Sequence, residues 1–497
     1  MYREPLPVRR TADRIVSESS RVLAKPYLPG GEVRIRNVID RVLALSEEQA
    51  NQILEQVIAG FATRHKNIWQ VFGRNFRQVG QYVPEGVHLS EERRSLIGAY
   101  FTHEYSVQAA AFFNPSIVLH PDQGYLDEGS VRVILSFRST GEGHISSIEF
   151  RSGVLGPDNT LHFDPVSRFV ESPEVIENPS YDRYVFELKL EEMESNNDVS
   201  VDILADLSDC FTRFDLEAQI QTVLDRSPEG RPLLHETIEK LRWLARSNYQ
   251  LKFRMDRRIS EKVIFPVSEN ESRGVEDARF VQFIDDDGEV TYYATYTAYN
   301  GFNILPMLLE TRDFVSFQIR TLNGSAAQNK GMALFPRRID GRFVMISRHD
   351  GENLFIMSSD NIHFWHEAEL LQRPRYPWEL IQIGNCGSPI ETEHGWILLT
   401  HGVGPMRKYC IGACLLDLQR PEQVIGHLVQ PLLCPTESER EGYVPNVVYT
   451  CGAMIHNGEL IVPYSMSDTA SGVAVVGVEE LVRRMLEEPH RRDTEQG

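Results

Sequence analysis

The chain has 497 residues, a formal net charge of −20, 41% hydrophobic and 25% charged residues, and no low-complexity tract. That length buries a large core and divides into more than one domain, or into one large repetitive domain with additions. The acidic balance argues against nucleic acid and anionic membrane as partners, because both reward clustered positive charge, and no apolar run approaches a membrane span.

The first thirty residues carry arginines but no apolar segment of the signal-peptide kind, and six cysteines stand without C-x-x-C pairs or histidines at zinc-ligand spacing. The expectation is a cytoplasmic protein with free thiols, no disulfide framework, no metal and no cofactor. After an irregular arm over residues 1 to about 30, Ser46 and Gln49 form the two ends of a capping box ahead of Ile53, Val57, Ile58 and Phe61 at helical spacing. A second helix carries Ile68, Trp69, Phe72 and Phe76, and a third starts at Ser90 with Glu91 and Glu92 in its first turn.

From residue 112 the apolar period changes from helical to two. Apolar strands ending in polar or charged residues recur at 133–138, 292–296, 343–348, 396–401 and 460–464. The starts at 292, 343, 396 and 460 are 51, 53 and 64 residues apart, the range of a four-stranded propeller blade. Helical patterns with many acids between them fill about 188–246, between the first two repeats. The expected fold is mainly β: a five-bladed β-propeller at 111–480 with a helical insertion, preceded by an N-terminal arm and helical domain at 1–110 and followed by a polar tail at 481–497. The helical additions offer surfaces for a homo-oligomer or a lid.

Arg273-Gly274-Val275-Glu276-Asp277-Ala278-Arg279 packs two acids and two bases between apolar strands. Such a cluster is ordinarily a surface turn closed by ion pairs. If the repeats are the innermost strands of a propeller, however, their polar ends converge on one mouth, and Arg138, the 296–300 segment with Tyr299, Arg348, His401 and the 464–468 segment with Asp468 form a polar, aromatic, partly basic cup. A cup of this kind suits a hydroxyl-rich ligand, with charges bonding hydroxyls or phosphate.

Asn114-Pro115-Ser116-Ile117, Arg138, Gly274 to Arg279, Tyr296-Thr297-Ala298-Tyr299, Leu334-Phe335-Pro336, Ser347-Arg348, Gly395-Trp396-Ile397-Leu398, His401-Gly402, Gly412 to Asp417 and Pro445-Asn446-Val447 together resemble glycoside hydrolase family 130. The resemblance covers about residues 112–480. It implies a five-bladed propeller, in most members an inverting β-mannoside phosphorylase and in some a β-1,2-mannosidase. It further implies Asp277 as the general acid, within a motif where this chain has Ala278 in place of the usual proline, with Arg273 and Arg279 orienting the carboxyl groups and burial raising the acid's pKa. Asn114, Arg138, Tyr299 and Asp468 fall to the sugar; Lys330, Arg348 and His401 fall to phosphate.

One position departs from the family pattern. Its third phosphate-gripping residue, a lysine, corresponds here to Glu391 in Pro389-Ile390-Glu391-Thr392. A carboxylate there repels phosphate, and if it faces the pocket it becomes a candidate general base on water. The leading expectation is phosphorolysis of β-linked manno-oligosaccharides to α-mannose 1-phosphate, with inorganic phosphate as co-substrate. The alternatives are an inverting β-1,2-mannosidase with Glu391 as base, and a non-catalytic propeller that binds glycan through the same cup.

Overall fold

The computed structural model of the chain describes residues 6–176, 179–226 and 232–487. Four helices open it: α1 (Glu32–Leu43), α2 (Glu47–Phe61), α3 (Ile68–Val79) and α4 (Glu91–Tyr100). The Ser46 hydroxyl accepts from the Gln49 N–H at 3.1 Å while the Gln49 side chain accepts from the Ser46 N–H at 2.9 Å, so the expected capping box starts α2. Helix α1 was not expected. Its cap is Gly31 at φ 82 with no side-chain bond, and charge interrupts an apolar face carried by Ile35, Ile39 and Val42. The four helices share one core that includes Ile39, Leu54, Phe72 and Leu96.

Apart from short pairs such as Val22–Pro26 with Thr102–Ser106, most of the β structure falls into five groups of antiparallel strands. The first is Ala111–Leu119, Val131–Thr140, Ser146–Leu155 and Leu161–Phe163; the second is Gly274–Ile284, Val290–Tyr299, Ile304–Thr311 and Ser316–Thr321. A parallel contact between Ser146 and Gly274 joins these two into one larger sheet. The third group is Ala333–Leu334, Phe343–Ser347, Leu354–Ser359 and Glu369–Gln372, and the fourth is Gln382–Asn385, Gly395–Val403, Tyr409–Leu416 and Val424–His427. The fifth runs Val448–Tyr449, Glu459–Met466, Ala470–Gly477 and then Arg9–Arg10 from the N-terminal arm.

Alternation along these strands lets each group bury both faces. Phe343 and Met345 pack with Phe283 and Leu308 of the second group, while Val344 and Ile346 pack with Ile383 and Leu398 of the fourth. The first group packs on the second, the fourth on the fifth, and the fifth returns to the first through Phe112, Phe137, Ile461 and Val475. The groups thus follow one another in a cycle.

Three expectations change. The five recurring strands are the second of each group, not the innermost, and the first strands ahead of them carry Asn114, Asp277 and Asn385. The arm is not irregular throughout: Arg9 and Arg10 pair with Val475 and Ala474. The polar tail does not begin at 481, because α9 (Val478–Leu486) buries Leu481, Val482 and Met485 against the last two groups; residues at 478, 481, 482 and 485 make one helical face behind the charges. The rest of that tail lies outside the described residues. Between the first two groups, α5 (Arg183–Glu192), α6 (Asp198–Ala205), α7 (Arg213–Arg226) and α8 (Pro232–Ser247) share their own core. Among the described residues no helix is long and apolar enough to cross a membrane.

Candidate active site

Two β-bulges aim the central pair. The register of the first group shifts between Phe113 and Ser116, and that of the second between Glu276 and Arg279. Inside the bulges Asn114 and Asp277 adopt left-handed φ of 48° and 55°, which non-glycine residues hold only where the surroundings enforce it. The Asn114 amide donates to Asp277 Oδ1 at 2.7 Å, and its own oxygen accepts from the Ser465 hydroxyl at 2.9 Å, which fixes the amide's orientation. Arg138 donates to Asp277 Oδ1 at 3.3 Å and to Glu276 Oε1 at 2.6 Å. Arg279 holds the Asp277 backbone carbonyl at 2.9 Å and the Tyr449 hydroxyl. Arg138, not Arg273, therefore completes the pair of arginines around the acids; Arg273 is exposed, beside Gly301.

Across the cavity stand Lys330, just before the third group, and Arg348, just after that group's second strand. Arg348 Nη1 lies 3.3 Å from His401 Nε2, and His401 Nδ1 lies 3.1 Å from the Asn385 carbonyl oxygen. The carbonyl requires the proton on Nδ1, so Nε2 accepts from Arg348. Burial, with Arg348 and Arg279 adding to it, holds His401 well below its ordinary pKa, in keeping with this neutral form. Among the described residues neither Lys330 nor Arg348 forms an ion pair with a carboxylate, and the buried Arg348 Nε has no hydrogen-bond partner.

Asp468 follows Ser467 in the tight turn that ends the Glu459–Met466 strand, both with left-handed φ. Burial and the neighbouring Asp277 charge push its carboxyl up to about 6. Burial also pushes Asp277 upward, but Arg138, Arg279, Lys330 and the Asn114 bond outweigh it and leave Asp277 below its ordinary value. That reverses the expectation that burial alone keeps a proton on Asp277.

Seven of the expected site residues, Asn114, Arg138, Asp277, Lys330, Arg348, His401 and Asp468, line this one cavity of about 150 Å³. Two do not. Glu391 is on the Ile390–Thr392 strand, 40% exposed, with both carboxylate oxygens held by Arg337 at 2.8 and 2.7 Å. It turns outward from the short hairpin with Gly395, and this location corrects its candidacy as a general base in the cavity. Tyr299 ends its strand opposite Gly274, outside the cavity lining, and its hydroxyl donates to the Gly301 carbonyl at 3.1 Å.

The sequence reading missed Asn385, Tyr409 and Arg407. Tyr409 lies parallel to the His401 ring at 5.9 Å between centroids. Arg407 reaches the cavity from the Gly404-Pro405-Met406 turn, and that Gly-Pro pair is the signal that marks the spot. A larger groove of about 840 Å³ runs between α8 and residues 267–270, but its Lys240 is taken up by Glu236 at 3.0 Å and no acid is positioned there by a bulge.

The sequence profile of a family described as beta-1,4-mannooligosaccharide phosphorylase matches residues 248–487. Over 231 residues the chain is 32% identical to a 1,2-beta-oligomannan phosphorylase of Thermoanaerobacter sp. strain X514, covering 45% of this chain and 75% of that protein. It is 28% identical over 249 residues to a beta-1,2-mannobiose phosphorylase of Listeria innocua, covering 49% and 68%. A solved structure of a Listeria innocua beta-1,2-mannobiose phosphorylase with beta-1,2-mannobiose aligns with a TM-score of 0.46 at 22% identity, over 77% of this chain and 94% of that one.

Proposed function

The chain belongs to glycoside hydrolase family 130, and from that premise we propose that it is an inverting β-mannoside phosphorylase built on a five-bladed β-propeller and working in the cytoplasm. The cycle of five packed groups supports the propeller, and the names of the relatives support a manno-oligosaccharide as substrate. The observation that carries phosphorolysis over hydrolysis is the pair Lys330 and Arg348. Both face the cavity without a carboxylate partner among the described residues, while Glu391, the base expected for a hydrolase, is bound to Arg337 on the surface.

In this reading phosphate sits against Lys330 and Arg348, with His401 accepting from Arg348 to hold its fork in place. A phosphate oxygen forms the new bond to the anomeric carbon as the β-glycosidic bond breaks on the opposite face, which gives α-mannose 1-phosphate. The leaving oxygen takes its proton from Asp277, directly or through a sugar hydroxyl. Asp277 is ionised in the free protein because cations surround it. A phosphate dianion between Lys330 and Arg348 cancels part of that positive field and lifts the Asp277 pKa, so the acid gains its proton when the co-substrate is in place. Asn114 and Arg138 bond the acid and, with Asp468, offer polar groups to the sugar hydroxyls.

Product analysis on β-1,2- and β-1,4-mannobiose, with and without inorganic phosphate, tests this. Mannose 1-phosphate is expected only when phosphate is present. Free mannose formed at a rate indifferent to phosphate would overturn phosphorolysis.

A further inference from the structure

Outside the cavity, one pair of reactive side chains has no part in the chemistry above. Cys410 and Cys434 hold their sulfur atoms 2.7 Å apart, closer than ordinary non-bonded contact. The register explains the approach. Ile411 and Leu433 are bridged as an antiparallel pair that exchanges both backbone bonds, at 2.8 and 3.0 Å. The next residues outward, Cys410 and Cys434, therefore face each other as a non-hydrogen-bonded pair. In such pairs the Cα atoms lie about 4.5 Å apart and the side chains are closest, within the range a disulfide spans.

We propose that Cys410 and Cys434 form a reversible disulfide when the folded protein meets a hydroperoxide. Cys434 is the partly exposed member, and Cys410 is buried. The bond from Cys410, with Lys408 and Arg10 adding positive charge, holds the Cys434 thiol below its ordinary range against the effect of burial; Cys410 moves the other way, raised by the same bond and by burial. Cys434, the partly exposed sulfur with the Arg10 guanidinium at its own residue, is the attacking thiolate. Its sulfur takes one peroxide oxygen and, with one proton, releases water or the corresponding alcohol, leaving a sulfenic acid. Cys410 sulfur then attacks the Cys434 sulfur, the S–S bond forms, and the sulfenic oxygen leaves as a second water with the Cys410 proton. Two thiols are oxidised and one peroxide is reduced.

The bridge would pin the strand that carries Tyr409 to the segment that holds the N-terminal arm. Cys410 follows Tyr409, whose ring lies on His401, and the Cys434 carbonyl accepts from Arg10 of the N-terminal strand at 2.8 Å. The test treats the full chain with hydrogen peroxide, alkylates it under denaturing conditions and maps the peptides. The expected result is a cross-linked peptide pair containing Cys410 and Cys434, reversed by dithiothreitol, with free thiols falling from six to four when the exposed Cys210 is left intact. The thermal midpoint should rise by about 3–6 °C on oxidation, because the cross-link restricts the unfolded chain. Cys410→Ser and Cys434→Ser should each abolish both effects. If either variant fails to fold, the wild-type peptide map still decides: Cys434 recovered as thiol or sulfinic acid with no link to Cys410 overturns the proposal.

Discussion

Asp277 and Asp468 share one cavity, yet their environments drive their protons apart. Cations and an amide surround Asp277, whereas Asp468 faces Asp277 itself. Asp277→Asn keeps the Asn114 contact sterically possible and removes the transferable proton, so turnover should fall by about 10²–10⁴-fold or more while circular dichroism is unchanged. Near-normal turnover would remove Asp277 from its role. For Asp468 the folded value of about 6 lies above the ordinary 3.8, so its contribution to stability is complete below pH 3.8 and is lost as the pH rises through 6. Asp277, held low, contributes in the opposite direction: present above its ordinary value and lost as the pH falls through its lowered one. Asp468→Asn mimics the protonated form. It should match the wild type near pH 4 and exceed it above pH 7 by on the order of 1–2 kcal/mol, a figure discounted for the solvent that reaches a half-buried carboxyl. Thermal midpoints measured across that range decide it, and an Asn variant less stable than wild type at pH 8 contradicts the account.

At the scale of elements, first strands bring backbone close to the site, and one glycine shows why. Gly384 pairs with His401 across the Gln382–Asn385 and Gly395–Val403 strands, and a Cβ at that position would lie 2.3 Å from His401 Cε1. The ring is buried and cannot yield freely. Gly384→Ala should therefore displace His401 from Arg348 and raise KM for phosphate about tenfold or more, at a stability cost of about 1–3 kcal/mol. A stability loss with phosphate KM unchanged would uncouple His401 from the anion.

The sequence carried much of this element-level detail. Ser46 with Gln49 marked a helix start, and the period-two runs marked the second strand of every group, because capping chemistry and pleat alternation are local properties. The bulges at Asn114 and Asp277 were invisible, since a bulge is a mismatch with a partner strand. The outward turn of Glu391 was hidden for the same reason: it depends on Arg337, 54 residues away. Short first strands such as Ala333–Leu334 and Val448–Tyr449 are too brief to show any period.

At the scale of the molecule, the N-terminal arm is joined to the β groups by charge buried out of solvent. Arg21 is wholly buried and donates to Glu149 at 3.2 and 3.0 Å, and to the backbone carbonyls of Ser167 and Ser260. It thereby ties the arm to the first group and to the chain on both sides of the helical insertion. Gln108 also donates to Glu149, at 3.0 and 2.9 Å, and the buried Arg151 Nη1 lies 3.9 Å from the same carboxylate. Removing Arg21 leaves the desolvated Glu149 carboxylate with only the more distant Arg151 against it, which costs more than the Arg21 pair is favourable. Arg21→Ala should therefore lose about 3 kcal/mol, whereas Arg21→Met combined with Glu149→Leu and Arg151→Leu should recover most of that loss, because it removes all three buried charges and roughly keeps the volume. Denaturant unfolding of the two variants beside wild type separates the cases. Equal losses in both would mean that the carbonyls of Ser167 and Ser260, left without a donor, carry the joint rather than the ion pair.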